Sequence, residues 1–184
     1  GAPLIDLDGA DFVAIDGLDV NGNALTLSNS NSSAVAGTST IRFTGDATDN
    51  LVTHVTVLGA STASGAVGAG TILFATGLAT GNDGNSVSHC RLGPVGANLP
   101  SRAVVSLGST ASTTLYNSGV ELLDNQIYDY WHASAASTAV YLGDGTTDWT
   151  MTGNRFFQTG TRTQSSAAAH SAIEVASAVG NRSE

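Results

Sequence analysis

Apolar and polar positions alternate over three to six residues at a time along most of the chain, and β-branched residues are enriched in these runs. Clusters of Gly, Asn, Asp, Ser and Thr separate them. Period-two alternation broken by turn-forming residues predicts short strands. No stretch sustains apolar residues at i, i+3, i+4 and i+7, and Ala167-Ala168-Ala169 is too short to build a helix.

The runs repeat. An apolar-x-apolar unit occurs at Ile5-Asp6-Leu7, Ile41-Arg42-Phe43, Ile72-Leu73-Phe74, Val105-Ser106-Leu107, Val140-Tyr141-Leu142 and Ile173-Glu174-Val175, with spacings of 36, 31, 33, 35 and 33. A second unit, with an apolar residue on each side of a turn, starts at Ile15, Val52, Val87, Leu122 and Met151, with spacings of 37, 35, 35 and 29. In the first coil this unit reads Ile15-Asp16-Gly17-Leu18-Asp19-Val20. Two independent markers thus share a period near 34 residues. Helical repeats of similar length need two helices each, and a propeller blade needs four strands and about 40 to 45 residues. The remaining solution is a parallel β-helix, a solenoid of about five to six coils whose equivalent strands stack about 4.8 Å apart.

In that arrangement Ile5, Ile41, Ile72, Val105, Val140 and Ile173 form one inward column, and Leu7, Phe43, Phe74, Leu107, Leu142 and Val175 another. Asp6, Arg42, Ser106, Tyr141 and Glu174 point outward, with Leu73 the exception. Composition agrees with a narrow core. Ala, Gly, Ser and Thr make 91 of the 184 residues, against a hydrophobic content of 41%. The chain has no lysine, six arginines and fifteen acids, for a net charge of -9. That balance argues against binding nucleic acid or anionic membranes, which rest on clustered cations. No apolar run approaches the roughly 18 residues of a membrane span. The single cysteine, Cys90, allows no intrachain disulfide. The Ser/Thr/Asn/Gly-rich acidic composition suits an extracellular or cell-surface setting. The opening Gly1-Ala2-Pro3 has no initiator Met and no signal-like region, so residues 1-184 are read as a single β-helix domain belonging to something longer.

The segment from Pro3 through Ile5-Asp6-Leu7-Asp8-Gly9 and Val13-Ala14-Ile15-Asp16-Gly17-Leu18, with later coils such as Asp148-Trp149-Thr150-Met151-Thr152-Gly153-Asn154-Arg155-Phe156, carries a family likeness. It resembles the right-handed parallel β-helix repeats of large bacterial secreted and cell-surface proteins. More distantly, it is similar to coils of pectate lyases and polygalacturonases. The resemblance spans essentially the whole chain and implies a fold far more than a reaction, because β-helices serve as enzymes, adhesins and passive stalks. The polygalacturonase-like set of paired Asp, a Gly-His-Gly and an Arg-x-Lys is absent, and a chain without lysine cannot supply the last element.

Several groups are candidates for chemistry. Gly17, His54, His89, Asp124 and Gly153 share one turn column. Stacked imidazoles and a carboxylate at His54, His89 and Asp124 are the candidate metal ligands. Gly, Asn, Asp and His are also the residues that collect at left-handed turn positions, and this reading takes precedence. The next column, Leu18, Val55, Cys90, Asn125 and Asn154, predicts an Asn125–Asn154 amide ladder and a buried Cys90. Acids crowd the first coil at Asp6, Asp8, Asp11, Asp16 and Asp19, and others stand in loops at Asp46, Asp49, Asp83, Asp144 and Asp148. Calcium is their natural guest, but no calcium-loop motif is present, and solvated turn acids are the plainer reading, so no cofactor is assigned.

The aromatic run Tyr128-Asp129-Tyr130-Trp131-His132 is the best candidate binding surface. Tyr128, Tyr130 and Trp131, joined by Arg155 and Phe157 from the next coil, offer flat apolar faces with polar edges that suit sugar rings. Side chains covering a thin solenoid are the simpler alternative. The leading expectation is a non-catalytic extracellular module that serves as a stalk, an adhesin or a glycan-binding face, with a polysaccharide or surface glycan as partner. The enzyme alternative is a polysaccharide lyase or glycoside hydrolase using Asp124, Asp129 and His132 as acid and base. A third expectation is self-association into filaments, because no polar cap closes the first or last coil and uncapped coils expose strand edges.

Overall fold

The computed structural model describes residues 1–18 and 24–177. Its strands fall into three parallel sheets that wind as a β-solenoid of about five turns. The first sheet takes one strand from each coil: β1 (Pro3–Asp8), β4 (Ser39–Thr44), β7 (Ile72–Phe74), β10 (Arg102–Ser106), β13 (Ser137–Leu142) and β16 (His170–Val175). The second contains β2 (Ala14–Asp16), β5 (Leu51–Thr53), β8 (Ser86–Ser88), β11 (Glu121–Leu123) and β14 (Thr150–Thr152). The third contains β3 (Thr26–Ser28), β6 (Thr56–Gly59), β9 (Arg91–Pro94), β12 (Gln126–Tyr128) and β15 (Arg155–Phe157). A single 3-10 turn at Thr113–Leu115 is the one helical element among the described residues.

Like residues stack on like. Ile15, Val52, Val87, Leu122 and Met151 form the inward column of the second sheet. Leu27, Val57, Leu92, Ile127 and Phe156 form that of the third. In the first sheet the Phe43 and Phe74 rings lie 4.5 Å apart at 3°, and Trp149 meets Phe74 edge-on at 5.0 Å. Each coil is too thin to bury a core alone, so these apolar columns are closed by the coils above and below.

Two registers differ from the sequence reading. In the fourth coil Val104 pairs with Ile72 and Val140, and Ser106 pairs with Phe74 and Leu142. The inward residues are therefore Val104 and Ser106, not Val105 and Leu107. The run Ala103-Val104-Val105 is apolar at both parities, so alternation could not choose a face, and a one-residue slip exchanges the two faces. Adjacent Ala103 and Val104 both enter the core, and Val105 lies outside with Leu73 and Tyr141 in a second apolar cluster. Ser106 is tolerated inside because its hydroxyl bonds Thr146 Oγ1 at 2.8 Å and accepts from Asn117 Nδ2 at 3.1 Å.

The other difference lies in the first coil. Leu27, not Val20, pairs with Val57. The Leu25 carbonyl accepts from Thr56 N–H as the Val55 carbonyl does from Arg91 and the Cys90 carbonyl from Gln126, so Leu25 takes the column place expected for Leu18. Leu18 is exposed, its N–H turned onto Asp16 Oδ1 at 3.0 Å. Asp19 and Val20 lie outside the described residues.

Inside the bends, three asparagine ladders satisfy backbone groups that no strand reaches. Ala47 N–H donates to Asn82 Oδ1, and Asn82 donates from both its backbone and its amide to Asn117 Oδ1. Val13, Asn50 and Asn85 repeat this pattern, as do Cys90, Asn125 and Asn154. The Asn125–Asn154 ladder is the one the sequence predicts. The others are spaced 35 residues apart, one full coil, where the Asn125–Asn154 rung spans 29. Removing a rung strands buried donors and acceptors, each worth about 1–3 kcal/mol when left unpaired. Asn82→Ala is expected to lower unfolding free energy by about 2–4 kcal/mol, and the exposed Asn31→Ala by no more than about 0.5 kcal/mol, as measured by urea denaturation.

Candidate functional site

The tight bend between the second and third sheets carries the histidine column. His54, His89 and Asp124 have φ of 56°, 54° and 53°, and Gly153 has 70°. Gly17 occupies the same place with no left-handed backbone. The residue types at the later positions are those that tolerate positive φ. The imidazoles of His54 and His89 stack at 5.0 Å and 17°. His54 Nδ1 lies 3.4 Å from Asp16 Oδ1, and His89 Nε2 lies 3.8 Å from Asp124 Oδ2. Each imidazole faces a separate carboxylate across the stack. Among the described residues no three His, Cys, Asp or Glu side chains converge as a metal-binding group.

Turn acids are engaged by backbone instead. Asp46 accepts from the N–H groups of Leu78, Ala79, Thr80 and Gly81 at 2.7–3.1 Å. Burial acts to raise its carboxyl, and the four N–H donors outweigh that and hold it below the usual range. Asp11 takes the N–H and hydroxyl of Thr48, and Asp83 the N–H of Ser118. Cys90 is buried and its thiol is pushed up to about 11 chiefly by desolvation, which removes its nucleophilic form at neutral pH.

The three acid–base candidates have separate employments. Asp129, buried at a φ of 55°, accepts from the N–H and hydroxyl of Thr159 at 2.7 and 2.5 Å and pairs with Arg162. His132 Nδ1 accepts from the N–H groups of Ser134 and Ala135 at 3.2 and 2.9 Å, so it shapes the loop that follows. Asp124 stands at the turn beside His89. No hydrogen bond or ion pair joins any two of them among the described residues.

The aromatic run divides. Tyr130 turns inward and joins the main core. Trp131 lies at the bend toward the first sheet, stacked on His170 at 4.0 Å, where Ser137 Oγ meets His170 Nδ1 at 2.7 Å. That Ser–His pair follows from the register of Ser137 on His170, a spacing visible in the sequence but not singled out there. The Ser137 hydroxyl is fully buried, which withholds it from any substrate.

Tyr128, Phe157 and Arg155 do come together, on the outer face of the third sheet. Tyr128 and Phe157 stack at 5.6 Å and 18°. The far edge of the Tyr128 ring rests where a Cβ on Gly93 would stand, so this glycine is the notch that lets the ring lie against the sheet. The Arg155 guanidinium covers Phe157 at 4.9 Å, and Arg91 covers Tyr128 at 5.7 Å. The sequence does not join Arg91 to this aromatic group, because it sits in the third coil, 37 residues before Tyr128. Its position directly under Gln126 and Arg155 is the signal. Next to it opens a groove of about 280 Å³ lined in part by His54, His89, Thr56 and Arg91.

A larger groove, about 390 Å³, runs along the outer face of the first sheet over Leu73, Leu107 and Ala75, with Arg42 at its side. Arg42 is held by two bonds to Asp6, at 2.8 and 2.5 Å. The groove therefore lacks a free charged group. Near it, buried Arg102 lies 3.9 Å over the Tyr141 ring and donates to the carbonyls of Gly65 and Val67, pinning that loop over the sheet.

Compared with known proteins, the chain matches no family model, no curated protein and no solved structure.

At Asp129 burial works to raise the carboxyl, and the bonds from Thr159 and Arg162 override it, so the folded value lies below the ordinary one. The stabilisation is complete above the unfolded value of about 3.9 and is lost as pH falls through the lower folded value. Asp129→Asn is expected to lower the melting temperature at pH 7, with the gap to the parent chain narrowing as the medium is acidified below pH 4, in thermal melts across that range.

Proposed function

We propose that the protein is a non-catalytic glycan-binding module of an extracellular or cell-surface β-helix protein. The observation that carries this is the outer face of the third sheet, where Tyr128 and Phe157 form a shingled aromatic platform edged by Arg91 and Arg155. Rings laid against a rigid sheet offer apolar area without an ordering cost, and guanidiniums and amides at their edge can bond hydroxyls. Binding is supported over turnover because Asp129 is engaged by Thr159 and Arg162 and His132 by the loop N–H groups, and no hydrogen bond or ion pair joins either to Asp124 among the described residues. A lysine-free acidic chain, and the likeness of Pro3 to Leu18 to bacterial secreted β-helix repeats, support the extracellular setting.

Tyr128→Ala and Phe157→Ala are each expected to weaken polysaccharide binding about tenfold or more in titration calorimetry or affinity electrophoresis. Leu78→Ala, an exposed residue in the connection after β7, should leave it unchanged. Unaltered binding in both aromatic variants would sink the reading.

A second reading, self-association by coil stacking, draws on Ile173 and Val175. They continue the inward columns of the first sheet yet remain 42% and 59% exposed. A further coil laid on β16 would cover them and satisfy the edge that is unpaired among the described residues. Sedimentation velocity should then show concentration-dependent association that Ile173→Asp abolishes, and a monomer at every concentration would dismiss it.

A further inference from the structure

We infer that the glycan bound by this face is anionic and lies along the solenoid axis, with an acidic group on every second sugar held by Arg91 and Arg155. The inference rests on the glycan-binding reading above and adds the ligand's charge, direction and repeat.

The outward row beside the aromatic platform runs Thr56, Arg91, Gln126, Arg155 in consecutive coils. Parallel strands stack about 4.8 Å apart, so the two guanidiniums stem from backbone positions about 9.6 Å apart with a neutral amide midway. This is close to the length of a disaccharide in an extended glycan. Cation, amide, cation therefore matches a polymer whose sugars alternate acidic and neutral, read one sugar per coil. Tyr128 and Phe157 follow the same coil repeat beside the row, one ring for each sugar of the pair.

Charge complementarity supplies the sign. In a chain of net charge -9, Arg42 is spent on Asp6, Arg162 on Asp129, and Arg102 is buried against Tyr141 and two loop carbonyls. Arg91 and Arg155 are exposed and have no carboxylate partner among the described residues. An acidic protein that leaves two cations unpaired on one row presents a local site for anions. Two cations are too few for nucleic acid, whose binding requires many phosphate contacts. They suffice for a carboxylate or sulfate on alternate sugars, where a guanidinium binds two oxygens at once.

The test compares three probes on the full chain by titration calorimetry: a hyaluronan octasaccharide, in which uronate alternates with a neutral amino sugar; a neutral chitin hexasaccharide; and a homopolymeric uronate hexasaccharide. The alternating glycan is expected to bind at least about tenfold more tightly than the neutral one, and binding should weaken as salt is raised. Arg91→Gln and Arg155→Gln should each cost about tenfold for hyaluronan and a clearly smaller factor for chitin, whose hydroxyls the glutamine amide can still bond, with no change in melting temperature. The homopolymer should fall short of hyaluronan, because its middle acid faces Gln126. Equal binding of neutral and alternating glycans, or arginine variants that bind hyaluronan normally, would overturn the inference while leaving the glycan-binding reading intact. Preference for the homopolymer overturns the alternating repeat. Failure of all three probes, with the aromatic variants equally silent, overturns both.

Discussion

Coil-to-coil pairing is the interaction on which everything else depends. In a sheet of three-residue strands the backbone of one coil has its hydrogen-bond partners almost entirely in the next, about 35 residues along the chain. That obligation sets the repeat length, because a coil that ran out of step would leave buried N–H and C=O groups unpaired. It also forces like residues to stack, so the interior is a set of apolar columns with no thick centre. The asparagine ladders extend the same rule to the bends, where the backbone leaves the strands yet stays buried. A side-chain amide there substitutes for the missing strand partner.

The candidate site follows from this geometry. Outward residues of consecutive coils form rows whose spacing is set by the backbone, so a binding face on such a fold has a built-in ruler along its axis. Chemistry on the face then depends on which side chains are left over. Most ionisable groups are consumed by structure: Asp46 fills a nest of backbone N–H groups, Asp129 anchors Thr159 and Arg162, and His132 organises its loop. Among the described residues, Arg91 and Arg155, resting on aromatic rings, are the cations that remain available.

The repeat pattern made most of the fold legible. Ile41 on Ile72, Phe43 on Phe74 and Val87 on Leu122 were all implied by two periodic series in the sequence. So was the turn column, since His, Asp and Gly share one backbone preference. Legibility failed where local pattern allowed two answers. Ala103-Val104-Val105 is apolar on both faces, and Val20 and Leu27 both offered an apolar residue after the first bend. The site was legible only in part for the same reason. Five neighbouring aromatic and polar residues look like one surface, but strand alternation and the bend send Tyr130 inward and Trp131 to another face.

The sequence by itself determined the class of fold, the repeat and the identity of most inward columns, because period and residue type are local properties that every coil restates. Tertiary structure alone decided the register of the fourth coil, the third strand of the first, and the meeting of Arg91 with Tyr128 across coils. Those depend on pairing between residues about 35 positions apart. Such pairings are chosen by the sum of hydrogen bonds and burial over the whole stack, a quantity that no single window of sequence contains.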